Sequence, residues 1–127
     1  MGSLLLTAIL SGCGGKTSQD CAFTTLNVIP QSASADHTAS PPANSQQFLA
    51  FGAGLPSGCV SILSNLLNVT WSLSDSVNAK ISNAQDQTFG AATCTGASST
   101  PITVTATLDA GHNNGKAVSG SASLTCK

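Results

Sequence analysis

The stretch that decides the fold is Ile102–Leu108, ITVTATL, in which apolar side chains alternate with threonines without a break. A period of two puts the four apolar side chains on one face of a β-strand and the three threonines on the other face. A strand with one apolar face and one hydroxyl-bearing face is typical of an antiparallel sheet that covers a core on one side only. ITVTATL therefore predicts a β-sheet protein.

The same kind of pattern continues on both sides of this stretch. VTWSLS (69–74) alternates around Trp71, and VSGSASLTC (118–126) follows a strong turn signal at Asn114-Gly115. Shorter strand candidates, each bounded by turn residues, are TTLNVI (24–29), QQFLAF (46–51), VNAKIS (77–82) and TFGAATC (88–94). About seven short strands and no long segment of helical period predict an all-β sandwich. The apolar run VSILSNLL (60–67) is left unassigned.

The composition narrows the class of partner. Charged residues make up 7% of the chain, the net charge is −1, there is no Arg, Glu or Tyr, and Ser and Thr together make up roughly a quarter. A neutral surface without arginine has little to hold phosphates with, so nucleic acid is not expected as a partner. The hydrophobic content of 41% is enough to build a core, which argues against a disordered chain.

The amino-terminal stretch predicts export. The apolar run MGSLLLTAIL (1–10) is shorter than the roughly 20 residues that span a bilayer, and it ends at Ser11-Gly12-Cys13. Leu10–Cys13, LSGC, resembles a bacterial lipobox, in which the cysteine is diacylated before the leader is removed. The resemblance implies a signal peptide over 1–12, a lipid on Cys13 that anchors the protein to a membrane, and a flexible tether over 13–22. The alternative is that this run is a first element of the fold with Cys13 buried.

The other four cysteines form an even set: Cys21, Cys59, Cys94 and Cys126. Two disulfides in an oxidising compartment account for an even set, and four cysteines leave three possible connectivities. No CxxC spacing occurs, and His37 and His112 lie in no ligand-like cluster, so a zinc site is not expected. No cofactor is predicted.

Five segments in order resemble one known family. They are NVIPQSASADH (27–37), NSQQFLAFGAG (44–54), VTWSLSDSVNAKIS (69–82), ITVTATLD (102–109) and SGSASLT (119–125). Their order is similar to that of bacterial immunoglobulin-like domains of group 2, although TFGAATC replaces the usual G-x-V-T-G passage. The resemblance implies an immunoglobulin-like sandwich of about seven antiparallel strands in a Greek key over 23–127. It also implies a structural or adhesive role at the cell surface.

The topology that the resemblance implies also selects a disulfide pairing. The start of the first strand and the loop after the second strand share one end of such a sandwich, which pairs Cys21 with Cys59. The strand that ends at Cys94 and the final strand that ends at Cys126 run in the same direction, which pairs these two at the opposite end.

No residues form a recognisable catalytic group. The five aspartates are the only acidic residues and fall in predicted turns or linkers, the two histidines lie in separate loops, and no Gly-x-Ser-x-Gly motif occurs. The run 109–115 offers oxygen ligands for calcium, but a plain hairpin turn is the preferred interpretation. Trp71 is expected to pack between the sheets rather than to stack on a sugar.

The loop from Gly52 to Asn68 carries the candidate partner patch. Its apolar residues cover one end of the sandwich, add an edge strand or form an exposed partner site, and they are Leu55, Val60, Ile62, Leu63, Leu66 and Leu67. The sequence as a whole predicts a non-enzymatic, lipid-anchored module exported to the bacterial envelope, at the outer membrane or cell surface. A carbohydrate-binding module is the alternative, and the ligand is a protein or a carbohydrate that the sequence does not identify.

Overall fold

The computed structural model describes residues 21–60 and 64–127, and these residues form an all-β sandwich. The strands are β1 (Thr25–Ile29), β2 (Ser32–Ala35), β3 (Ser45–Gln47), β4 (Leu49–Ala53), β5 (Thr70–Leu73), β6 (Ala79–Ile81), β7 (Ala91–Cys94), β8 (Ile102–Leu108) and β9 (Val118–Cys126). A single 3-10 turn, Ala110–His112, follows β8 within the described part of the chain. The predicted all-β, immunoglobulin-like fold class is confirmed.

The strands form two packed layers. One layer is the four-stranded sheet β2-β9-β8-β5. The other contains the ribbon β1-β4 and the sheet β3-β7-β6, which continue into each other because only Phe48 separates β3 from β4. All strand pairings are antiparallel except that of β2 with β9, which is parallel.

The strand count differs from the expected seven for two local reasons. The predicted strand QQFLAF is divided at Phe48, whose side chain is fully buried. The sequence does not predict β2 at all, because SASA lacks the large apolar residues that mark a half-buried strand. Its pairing with β9 forms it instead. The bounds of β8 and β9 are those that the alternation predicts.

The core lies between the layers and is built from the inward positions of these strands. The four apolar side chains of β8 are at most 1% exposed, whereas Thr103 and Thr107 face solvent. Trp71 is 2% exposed and meets the ring of Phe89 edge-on, with 6.4 Å between the ring centroids. The prediction that Trp71 belongs to the core is therefore confirmed.

The amino-terminal strand closes one side of the sandwich because it contributes to both layers. After pairing with β4 as β1, the chain turns at Pro30 and pairs with β9 as β2. At this crossing β1 passes so close to β9 that a Cβ on Gly120 would lie 2.2 Å from the backbone oxygen of Leu26. Only glycine fits there without a shift of the backbone.

Two disulfides fasten the opposite ends of the sandwich, and they join the cysteines that the sequence analysis pairs. Cys21 bonds to Cys59, and Cys94 bonds to Cys126, with a Cα–Cα distance of 5.6 Å in each case. The second bond joins the end of β7 to the end of β9 and so links the two layers. We call the two ends of the sandwich the Cys21 end and the Cys126 end.

Candidate functional site

The structure divides the predicted apolar patch, and one part of it belongs to the fold. Leu66 packs against the core. Its backbone N–H donates to the Ala50 oxygen at 2.8 Å, and the Ala50 N–H donates to Asn65 Oδ1 at 3.0 Å. Residues 65 and 66 therefore cover the edge of β4 that β1 leaves open, although they do not form a strand there.

The other part of the patch faces solvent. Val60 is 86% exposed and Leu67 is 58% exposed, whereas Leu55 is half-buried. Ile62 and Leu63 lie outside the described residues. Val60 directly follows Cys59 and so stands at the Cys21 end, beside the disulfide. Among the described residues of the predicted patch, Val60 and Leu67 are thus the ones that face solvent.

Asparagine side chains cap the main-chain groups of two further residues, Trp71 and Phe23. Asn83 Oδ1 accepts from the Trp71 N–H at 2.7 Å, and its Nδ2 donates to the Trp71 oxygen at 3.0 Å. Asn113 does the same for Phe23, accepting at 2.8 Å and donating at 3.0 Å. A carboxamide that bonds both groups of one residue takes the place of a neighbouring strand, which protects an edge from pairing with another chain.

An open groove that the sequence analysis missed lies where β1 leaves its partner β4. Its volume is about 600 Å³, and it is lined by Ile29, Pro30, Gln46, Gln47 and Leu49. Ile29 is 43% exposed, although it ends a strand whose apolar residues otherwise point inward. The exposure of Ile29 could have been predicted from the alternation in TTLNVI, because Ile29 shares the outward face of the strand with Thr25 and Asn27.

The described aspartates act as caps of turns. Hydrogen bonds from the Thr38 hydroxyl and backbone N–H lower the pKa of Asp36, and the same two bonds from Thr88 lower the pKa of Asp86. Bonds from the Asn78 backbone and side chain lower the pKa of Asp75. A general acid at neutral pH needs a raised pKa, so these carboxylates have the chemistry of turn caps.

Asp109 and His112 form a pair at the start of the β8–β9 loop. The His112 Nδ1 lies 2.7 Å from Asp109 Oδ1, and this contact is the main cause of the lowered pKa of Asp109. The same oxygen accepts from the His112 backbone N–H and caps the 3-10 turn. The run that offered oxygen ligands is thus a capped turn, with positive φ angles of 50° and 90° at Asn114 and Gly115.

The two histidines lie at opposite ends of the sandwich. The backbone N–H of His37 donates to the oxygen of Lys127, which follows Cys126, whereas His112 lies in the loop whose Asn114 contacts Cys21. Within residues 21–60 and 64–127, no three His, Cys, Asp or Glu residues are grouped so that they could hold a metal ion. In the same described ranges, no helix has the length and apolar character needed to cross a bilayer.

Comparison with known proteins gives no assignment. The chain matches no protein-family model and no curated protein. The similarity to bacterial immunoglobulin-like domains of group 2 therefore remains a prediction based on the five segments quoted above. Cys13 and the predicted signal peptide lie outside the described residues.

Proposed function

We propose that the protein is a non-enzymatic, lipid-anchored module of the bacterial cell envelope, with an immunoglobulin-like sandwich in a structural or adhesive role. The lipid on Cys13 provides the anchor and residues 13–22 provide the tether. We place the sandwich among the bacterial immunoglobulin-like domains of group 2. Its ligand is a surface protein or carbohydrate.

The observation that carries this proposal is the disulfide pattern. Both bonds have the 5.6 Å Cα separation of ordinary disulfides, and they use four of the five cysteines. Disulfides form and persist outside the cytoplasm. The cysteine that they leave over is Cys13, which stands in the LSGC sequence that resembles a lipobox. Two separate features of the chain thus support the proposed compartment and the proposed anchor.

Two further features support a structural module over the alternatives. Trp71 is buried, so it is not available as the stacking platform that the carbohydrate-binding alternative requires. The carboxamide caps on Phe23 and Trp71 suit a module held at high local density on a membrane, because they limit strand pairing between copies.

Anchoring is tested by cell fractionation of a bacterial host that expresses the full chain or Cys13→Ser. The proposal expects the native chain in the membrane fraction and the Cys13→Ser chain released from it. A second variant, Ser3→Ala, is the matched control, and it should stay in the membrane fraction like the native chain. Membrane association that does not depend on Cys13 would contradict the lipid anchor.

The adhesive role is tested with the same strains. Cells that display the native chain should bind to protein-coated or glycan-coated surfaces more strongly than cells that express Cys13→Ser. Equal binding by both strains would leave the anchor intact and argue against adhesion.

A further inference from the structure

We infer that the Cys21 end of the sandwich faces the bilayer and that Val60 contacts the lipid surface, which makes the Cys126 end the outward-facing end. This inference rests on the proposed lipid anchor at Cys13. The occupant of the exposed apolar site at Val60 is then a phospholipid membrane rather than a protein.

A covalent bond fixes the loop that carries Val60 to the tether. The Cys21–Cys59 disulfide holds the two Cα atoms 5.6 Å apart, so the loop that carries Cys59 is fixed to the point where the tether enters the sandwich. Val60 is the next residue after Cys59, and its 86% exposure exceeds that of Leu67 at 58%. A strongly exposed apolar side chain is thus held beside the root of the tether.

The length of the tether limits how far the Cys21 end can lie from the bilayer. Cys13 and Cys21 are eight residues apart, and an extended chain of that length reaches at most about 28 Å. The sandwich itself is about 30 Å long, since β9 has nine residues and a strand rises about 3.3 Å per residue. The tether therefore keeps the Cys21 end within about 28 Å of the bilayer, whereas the Cys126 end can lie up to about one sandwich length further away.

The third step is the chemistry of the surface around the disulfide. The β8–β9 loop reaches this end, because Asn114 Nδ2 donates to the Cys21 oxygen at 2.8 Å. A shallow depression of about 610 Å³ lies here and is lined by Ala110, Gly111, Asn114 and Gly115. Three of these four residues are alanine or glycine, so few side chains project from the loop here. Lys116 is exposed in the same loop and suits anionic lipid headgroups.

The chain offers a matched pair of positions for a test. Val77 is 80% exposed, close to the value for Val60, but its backbone oxygen accepts from Thr95 Oγ1, just beyond Cys94. It therefore lies at the Cys126 end. The lipidated mature chain, as Val60→Trp and as Val77→Trp, is reconstituted into phosphatidylcholine–phosphatidylglycerol vesicles with brominated acyl chains. The fluorescence of the buried Trp71 is a background common to both variants.

The orientation predicts that brominated lipids quench the added fluorescence of Val60→Trp several-fold more than that of Val77→Trp. Vesicle flotation is measured on the same samples. Vesicles that float with both variants but show equal quenching, or none, would overturn the orientation and leave the lipid anchor standing. Protein that does not float with the vesicles would overturn the anchor and this inference with it. Equal disulfide content in both variants, from mass spectrometry, shows that both are folded.

Discussion

Replacement of Asn113 by alanine should destabilise the fold more than its place in a loop suggests. Asn113 is 3% exposed, and its carboxamide makes three hydrogen bonds: it accepts from the Phe23 N–H at 2.8 Å and donates to the Phe23 oxygen at 3.0 Å and to the Lys116 oxygen at 2.8 Å. The alanine variant leaves these three backbone groups without a partner.

The magnitude follows from the burial of those groups. A hydrogen bond contributes about 0.5–1.5 kcal/mol net, and a buried group left without its partner costs about 1–3 kcal/mol. Phe23 is only half-buried, so water replaces part of the lost bonding there. The expected loss is therefore about 2–4 kcal/mol of the free energy of unfolding. Asn113→Asp should lose a similar amount, because it keeps the acceptor but places a carboxylate against two carbonyl oxygens.

The assay is urea unfolding with the disulfides intact, followed by the fluorescence of Trp71, which is buried in the native state. At a typical slope of about 1–2 kcal/mol per molar urea, the midpoint should fall by roughly 1–4 M. Asn27→Ala is the control: Asn27 is exposed on β1, and a change there should stay within about 0.5 kcal/mol. An Asn113→Ala midpoint as close to the native value as that of the control would refute the capping role.

Three further predictions concern the packing, the second disulfide and the acidic turns. Gly120→Ala should cost about 1–3 kcal/mol of the free energy of unfolding, because its Cβ would meet the Leu26 oxygen at 2.2 Å. Gly111→Ala is the control and should be nearly neutral, because the nearest neighbour of its Cβ would be 3.5 Å away. Equal urea midpoints for the two variants would contradict the close approach. Removing the Cys94–Cys126 bond by a double alanine substitution should cost about 3–4 kcal/mol, from the sequence separation of 32, and a loss below about 1 kcal/mol would count against it. Four aspartates have a pKa below the model-compound value of 3.8, so their stabilisation is present above that pH and is lost as the pH falls through the lowered folded values. The urea concentration at the unfolding midpoint should therefore decrease as the pH is lowered below about 4, and it should decrease by less in Asp36→Asn. A midpoint that rises on acidification would contradict the turn-cap assignment.

Alternation predicts the strands well where one face is strongly apolar. Both β8 and β9 have the bounds that ITVTATL and VSGSASLTC predict, because a one-residue slip in either would expose its inward side chains. The pattern fails for β2, since SASA has too little apolar surface to signal its own burial. That strand depends on β9, which is distant in sequence.

The candidate site is predicted less completely than the fold. Hydrophobic residues in the 52–68 loop are visible in the sequence, but exposure depends on where the chain runs, and Leu66 and Leu67 differ although they are neighbours. The carboxamide caps of Asn83 and Asn113 give no local signal, because each bonds a residue at least 12 positions away. Cysteine parity, by contrast, needs no geometry: five cysteines leave one over, and the LSGC sequence makes Cys13 the candidate.

The most direct test of the account is the intact mass of the full chain after expression in a bacterial host, measured with and without reduction. The account predicts a mature chain that begins at Cys13, carries a diacylglyceryl group and gains four hydrogens on reduction, two for each disulfide. A chain that retains Met1 and carries five free thiols would contradict both the lipid anchor and the exported location.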